Sequence, residues 1–463
     1  MRTIMITLPL LLLWTGAATA QEHADFIEGP FETPQEITET CLMCHEDSGT
    51  EVMETRHWKW LGPEFDAGAE RGVIQLGKRT FINNFCIAVP SNWPRCTSCH
   101  ISYGWKDASF DHSDPSNIDC LVCHEQTGTY KKEATGAGMP VEGLDLVTIA
   151  QSVGSPTRRN CGVCHFDGGG GSGVKHGDLD DSMYEPSAEL DVHMGGMDFS
   201  CTECHTTDAH RIAGAGHGSM AENTNHISCM DCHDAELHEK GILNEHVKTL
   251  ACESCHVPAF AREEATKTWW DWSKAGEDRE GSTDQFGRET YSKKKGAFTW
   301  EKNVIPTYAW SNGGADYYMP GDSIDPSKPV PLNSISGNIE DADARIAPFK
   351  VMRGKQPYDT EHAYLITPHL FGKDGYWKTF DWDSAARIGM EAAGLPYSGS
   401  IGFVETEMYW PINHMVAPAE QALSCTSCHG KKGERRLDWK SLGYKRDPIT
   451  RGSRFKQGLV DDD

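Results

Sequence analysis

Residues 96–124 read CTSCHISYGWKDASFDHSDPSNIDCLVCH. The two units that bracket this stretch, Cys96, Cys99 and His100 at one end and Cys120, Cys123 and His124 at the other, decide how the chain is read. Each places two thiols three positions apart with an imidazole directly after. Working outward, the same CxxCH unit recurs at Cys41, Cys44, His45; at Cys161, Cys164, His165; and at Cys201, Cys204, His205. It recurs again at Cys229, Cys232, His233; at Cys252, Cys255, His256; and at Cys425, Cys428, His429. Sixteen of the seventeen cysteines are thereby used. On a helical turn, thiols at this spacing reach the two vinyl groups of one porphyrin, and the next imidazole turns to its iron. A disulfide framework has no need of a histidine after every pair. Zinc sites pair their CxxC units without that third partner, and a thioredoxin-like motif needs one pair only. The pattern implies eight covalently attached c-type haems.

The first seven units start 23 to 55 residues apart, which leaves little chain for an ordinary apolar core between haems. The expected fold is therefore mainly α with extensive loop, built round a stack of haems, with little or no β-sheet. Each CxxCH unit is expected to open or sit in a short helix. Four segments follow: a signal peptide at 1–20, a haem-rich region at 21–262, a Trp-rich haem-free cover at 263–410, and the eighth unit with a basic tail at 411–463. Within the cover, Asp383 to Ala393 reads as a helix capped by Asp383 and stopped by Gly394 and Pro396. Pro418 is expected to open another helix leading into the eighth unit.

Arg2, the apolar run from Ile4 to Trp14 and the small residues Ala18-Thr19-Ala20 form an export signal. The mature chain is expected to start near Gln21, in the periplasm, with no membrane span. A net charge of −25 excludes nucleic acid as a partner, because phosphate is repelled. It also makes an anionic substrate dependent on a local positive pocket. Ten lysines and arginines between Lys431 and Lys456 reverse the sign locally. Haem propionates and surface carboxylates are the first partners for those cations, and an acidic docking protein the second.

Thirteen histidines remain after the eight attachment positions. Electron-carrying haems take a second strong-field axial ligand, so most of these are candidates for it. The first choices are His57, His176, His193, His210, His238, His246 and His414, with His112 and His226 in reserve. His193 and His246 lie shortly before a CxxCH unit; His57, His210 and His414 have aromatic, branched or Met neighbours.

Four local runs narrow the reading: FINNFC (Phe81 to Cys86), VKHGDLD (Val174 to Asp180), HVPAFAR (His256 to Arg262) and PINHMVAPAEQALSC (Pro411 to Cys425). Together with the long haem-free interval before the last unit, they make the chain resemble the octahaem tetrathionate reductase family, related to hydroxylamine oxidoreductases and pentahaem nitrite reductases. The resemblance implies that the second haem, on Cys96, Cys99 and His100, is the active one. It implies Lys175 as that haem's distal ligand, with Cys86 and Asn83 lining the pocket. The family's acidic residue three before the lysine is Ser172 here. A lysine must lose its proton to bind iron, at a cost of about 4.6 kcal/mol at pH 7 from a reference pKa near 10.4. Such a ligand is weak in net terms and can leave as a cation. Cys86 is the odd cysteine, unusual in an oxidising compartment. The reading is a multihaem oxidoreductase reducing a small sulfur or nitrogen species (tetrathionate, nitrite or hydroxylamine), fed by a periplasmic or membrane-anchored cytochrome. The alternative is a non-catalytic electron relay with two strong ligands on every iron.

Overall fold

The computed structural model describes residues 23–66, 71–85, 87–214, 227–234, 236–431 and 435–461. Cys86, His226 and the 1–20 signal segment lie outside them. Short helices deliver the CxxCH units. Helix α1 (Pro34–Leu42) starts with proline in its first turn, where the missing N–H costs nothing, and carries Cys41. Helix α2 (Arg158–His165) holds a whole unit; its capping box joins Thr157 to Asn160, with the Thr157 N–H donating to Asn160 Oδ1 at 2.8 Å.

The expectation of little or no sheet is wrong. Helix accounts for 24% of the chain and strand for 17%, and most of the strand belongs to one mixed eight-stranded sheet. Its strands are β1 (Thr266–Asp271), β2 (Tyr291–Ser292), β3 (Gly296–Glu301), β4 (Thr307–Ser311), β5 (Val330–Pro331), β6 (Arg345–Asp359), β7 (Tyr364–Leu365) and β8 (Ile401–Pro411). The main order is β5-β8-β6-β1-β3-β2, with β4 and β7 pairing onto β6. The long central strand β6 runs antiparallel to β8 from Phe349↔Pro411 to Asp359↔Ile401 and parallel to β1 over Arg353–Lys355. What hid the sheet is the reading of the tryptophans as loose cover. In fact Trp270 and Trp272 stack at 4.8 Å and form one core with Trp410 and Met352. That core also takes in Phe81, Phe85, Ile87 and Val174 from the haem-rich stretch, so the sheet and two of its loops are packed as one body.

Helix α3 (Trp382–Ala392) follows the predicted segment, but Asp381 rather than Asp383 is the cap, accepting from the N–H groups of Asp383 and Ser384. The helix expected after Pro418 is a single 3-10 turn, Ala419–Gln421. No helix among the described residues is long and apolar enough to cross a membrane.

Candidate functional site

One connected cavity of about 3520 Å³ is lined by residues of all eight CxxCH units. Ordinary ligand pockets reach about 1,000 Å³. Across this space, and beside it for His23 and His45, histidine rings meet in pairs. His23 faces His45 with ring centres 6.3 Å apart, His57 faces His165 at 6.2 Å, and His210 faces His124 at 6.5 Å. His193 faces His233 at 6.1 Å, and His414 faces His205 at 6.3 Å. His238 faces His256 and His246 faces His429, both at 6.2 Å. Two metal–nitrogen bonds of about 2.0 Å, with about 1.1 Å from each nitrogen to its ring centre, put imidazoles across one iron about 6.2 Å apart. The residues therefore fit the groups they would hold.

On seven of these fourteen rings Nδ1 has a protein partner, whereas that of His23 is buried without one. Nδ1 of His124, His205 and His246 meets the carbonyl of Gly154, Ala213 and Ile242, at 3.0, 2.8 and 2.6 Å. Nδ1 of His238 meets Asn244 Oδ1 at 3.1 Å. Carboxylates take the other three: Glu51 on His210 at 2.7 Å, Asp178 on His414 at 3.1 Å and Asp447 on His429 at 2.6 Å. With Nδ1 engaged, Nε2 is the atom left for a metal.

His100 departs from this pattern. No histidine ring faces it among the described residues; it is fully buried among Trp58, Trp60 and Trp105. Both nitrogens have protein partners, Nδ1 with Ser102 Oγ at 2.7 Å and Nε2 with the Trp58 carbonyl at 2.6 Å. Burial pushes its basicity well below that of a free imidazole. Lys78 and Lys132 add positive charge there and act on Cys99 as well.

Of the histidines chosen from sequence, His57, His193, His210, His238, His246 and His414 each face an attachment histidine. His176 does not. Its ring meets the edge of Trp410 at 5.3 Å, and its Nε2 is buried with no hydrogen-bond partner. His112 sits against Trp58, Trp105 and Phe110. His23 was passed over, and it faces His45. No local signal marks it, since His57 lies nearer to His45 in sequence yet faces His165.

Lys175 lines the same cavity as Asn83, Phe85, Cys96 and Cys99, and its Nζ lies 5.0 Å from the Trp410 ring centre. A Cβ on Gly169 would stand 2.6 Å from Phe85 and 3.3 Å from Lys175 Cβ, so the Gly-rich run brings backbone close on this side. Asn83 Oδ1 is engaged by its own loop, accepting from the N–H groups of Phe85 and Ile87 at 3.1 and 3.0 Å. Ser172 Oγ accepts from the N–H of Asp181 at 3.1 Å. Behind Lys175 lies Lys350, fully buried on β6 and lowered by that burial to about 7.

The attachment cysteines also define neighbours. Cys41 lies thiol to thiol with Cys120, Cys99 with Cys164, Cys161 with Cys201, and Cys229 with Cys252. Cys123 acts electrostatically on Cys161 and Cys164, Cys232 on Cys204, and Cys428 on Cys255. The units thus run in the order one, three, four, five, six, seven, eight, with the second as a spur on the fourth.

Residues 267–432 match the family model described as bacterial cytochrome c. The crystal structure of an octahaem cytochrome c from Shewanella oneidensis is 50% identical to this chain, with a TM-score of 0.86, covering 92% of this chain and 98% of that one. An uncharacterised protein of Archaeoglobus fulgidus is 25% identical over 241 residues, which are 41% of this chain and 80% of that protein.

Proposed function

Because the chain belongs to the octahaem cytochromes c and carries covalently bound c-type haems, eight by its attachment units, we propose that it is a periplasmic reductase acting at the second of them. Its substrate is a small sulfur or nitrogen species, with tetrathionate, nitrite and hydroxylamine as candidates. One observation carries this reading. Seven attachment histidines have a second imidazole at sandwich distance, and His100 has none among the described residues. An iron with two imidazoles has no room for an incoming molecule.

The haem on Cys96 and Cys99 supplies the electron-transfer steps and an iron position when bound. To serve that iron, His100 Nε2 gives up the Trp58 carbonyl. Lys175 would help to hold that haem as a neutral amine, and would carry a positive charge once it gains a proton. As an ammonium it adds to the field of Lys78 and Lys132, the local positive charge that an anion needs in a chain of net charge −25. With tetrathionate, the Cys86 thiolate attacks a sulfur–sulfur bond and expels one thiosulfate. Two electrons, which the haems would supply, would then release the second thiosulfate and restore the thiolate. With nitrite or hydroxylamine, the Lys175 ammonium would face the substrate and the haem would supply the electrons. A periplasmic or membrane-anchored cytochrome is the electron source.

The unbroken line of attachment units favours a second reading, a relay with no substrate of its own. Titrating the partly reduced holoprotein with each candidate while recording its magnetic resonance spectrum separates the two. The reductase reading requires one haem signal to change with at least one of them; if all eight stay constant with all three, only the relay survives.

A further inference from the structure

The loop that carries Lys175 has no regular secondary structure, yet every carbonyl from Gly173 to Gly177 is bound. Gly173 O accepts from Thr266 Oγ1 at 2.8 Å and from the N–H of Lys267 at 2.9 Å. Gly177 O accepts from the N–H of Ala261 at 2.7 Å. The three carbonyls between them converge on one side chain. Lys350 Nζ lies 2.9 Å from Val174 O, 3.1 Å from Lys175 O and 3.4 Å from His176 O, and it donates to Thr266 Oγ1 at 2.6 Å. Thr266 Oγ1 is also 3.0 Å from His176 O.

Lys350 is 0% exposed, and burying an ammonium is expensive unless its donors are used. Here its Nζ faces four oxygens, three of them consecutive backbone carbonyls of the Lys175 loop. We propose that Lys350 is a positioning residue for the candidate active site. It fixes the backbone of residue 175, from which the Lys175 amine would help to hold the second haem. The inference rests on the reading of Lys175 as that ligand. A ligand that is weak in net terms is the one most sensitive to placement, because a shift of about 1 Å removes it while a strong imidazole ligand adapts. Lys350 sits on β6, whose Met352 O accepts from Asn84 Nδ2 at 2.6 Å and whose Gln356 Nε2 donates to Asn83 O at 2.9 Å. The same strand therefore holds both walls of the site.

Three holoprotein variants test this: Lys350→Met, Thr266→Val and Lys175→Leu, each measured for haem content, for the seven bis-imidazole signals and for the spin state of the remaining haem. Lys350→Met is expected to keep eight haems and the seven signals while the high-spin fraction of the second haem rises on the order of tenfold. Thr266→Val should move it the same way by less. An amine-ligated signal unchanged in Lys350→Met overturns the proposal. If that variant yields no holoprotein, Thr266→Val decides, and an unchanged signal there overturns it. A Lys175→Leu spectrum identical to the parent's sinks the ligand reading and this inference with it. A Lys175→Leu spectrum that changes beside an unaltered Lys350→Met one removes the Lys350 role alone.

Discussion

A lysine and a histidine side by side, Lys175 and His176, make the residue-scale account testable. Replacing Lys175 by Leu removes the only amine assigned to an iron. The second haem should become five-coordinate and high-spin, and turnover should change, read by absorbance and electron paramagnetic resonance. Replacing His176 by Phe should leave all seven bis-imidazole signals intact, since its ring faces Trp410 rather than an attachment histidine. His23 is the converse case: His23→Ala should turn exactly one bis-imidazole signal, that of the His45 haem, into a high-spin one. These residues also mark how far the sequence could be read. The CxxCH spacing states its own chemistry, so the attachment positions were legible at once. The opposing imidazoles carry no local pattern, because the chain brings them together from distances as unlike as 22 residues for His23 and His45 and 209 for His205 and His414. His176 shows the same limit: its Nε2 is buried without a hydrogen-bond partner, yet its ring meets Trp410 rather than an attachment histidine.

At the scale of elements, β6 explains both what the sequence hid and what the site needs. Its sequence RIAPFKVMRGKQPYD has two prolines, a glycine and no apolar alternation. A strand covered on both faces does not alternate, and the polar residues at its buried positions, Lys350, Gln356 and Asp359, are those that hold neighbouring loops. The same strand ends on Asp359, whose buried carboxylate accepts from Ser398 N and Oγ, both at 2.7 Å, and from the N–H of His362 at 3.0 Å. Burial opposes its ionisation, but the bonds from Ser398 and His362 outweigh that and hold it well below the usual carboxylate range. Its folded pKa being depressed, its stabilisation is fully present above the unfolded value near 3.9 and is lost as the pH falls further. Asp359→Asn should therefore cost about 1–3 kcal/mol at neutral pH. In thermal melts the gap to the parent should narrow below about pH 4. A gap that is constant with pH would remove the charge from this explanation.

For the whole molecule, the attachment units form a line with one spur, and the spur ends at His100. Electrons entering on the line would reach it through the fourth unit, whose Cys164 Sγ lies 3.5 Å from the Cys99 carbonyl. Along the line the histidines bonded to Glu51, Asp178 and Asp447 belong to the third, fifth and eighth units. A carboxylate on Nδ1 gives the imidazole more anionic character and favours ferric iron. Glu51→Gln should accordingly raise the potential of one haem in a spectroelectrochemical titration and leave the others in place. Near-infrared magnetic circular dichroism of the fully oxidised holoprotein tests the central claim most directly, because its charge-transfer bands report which two atoms bind each iron. The account predicts bis-imidazole and imidazole–amine bands in a ratio of seven to one. A spectrum in which bis-imidazole ligation accounts for all eight haems would contradict it.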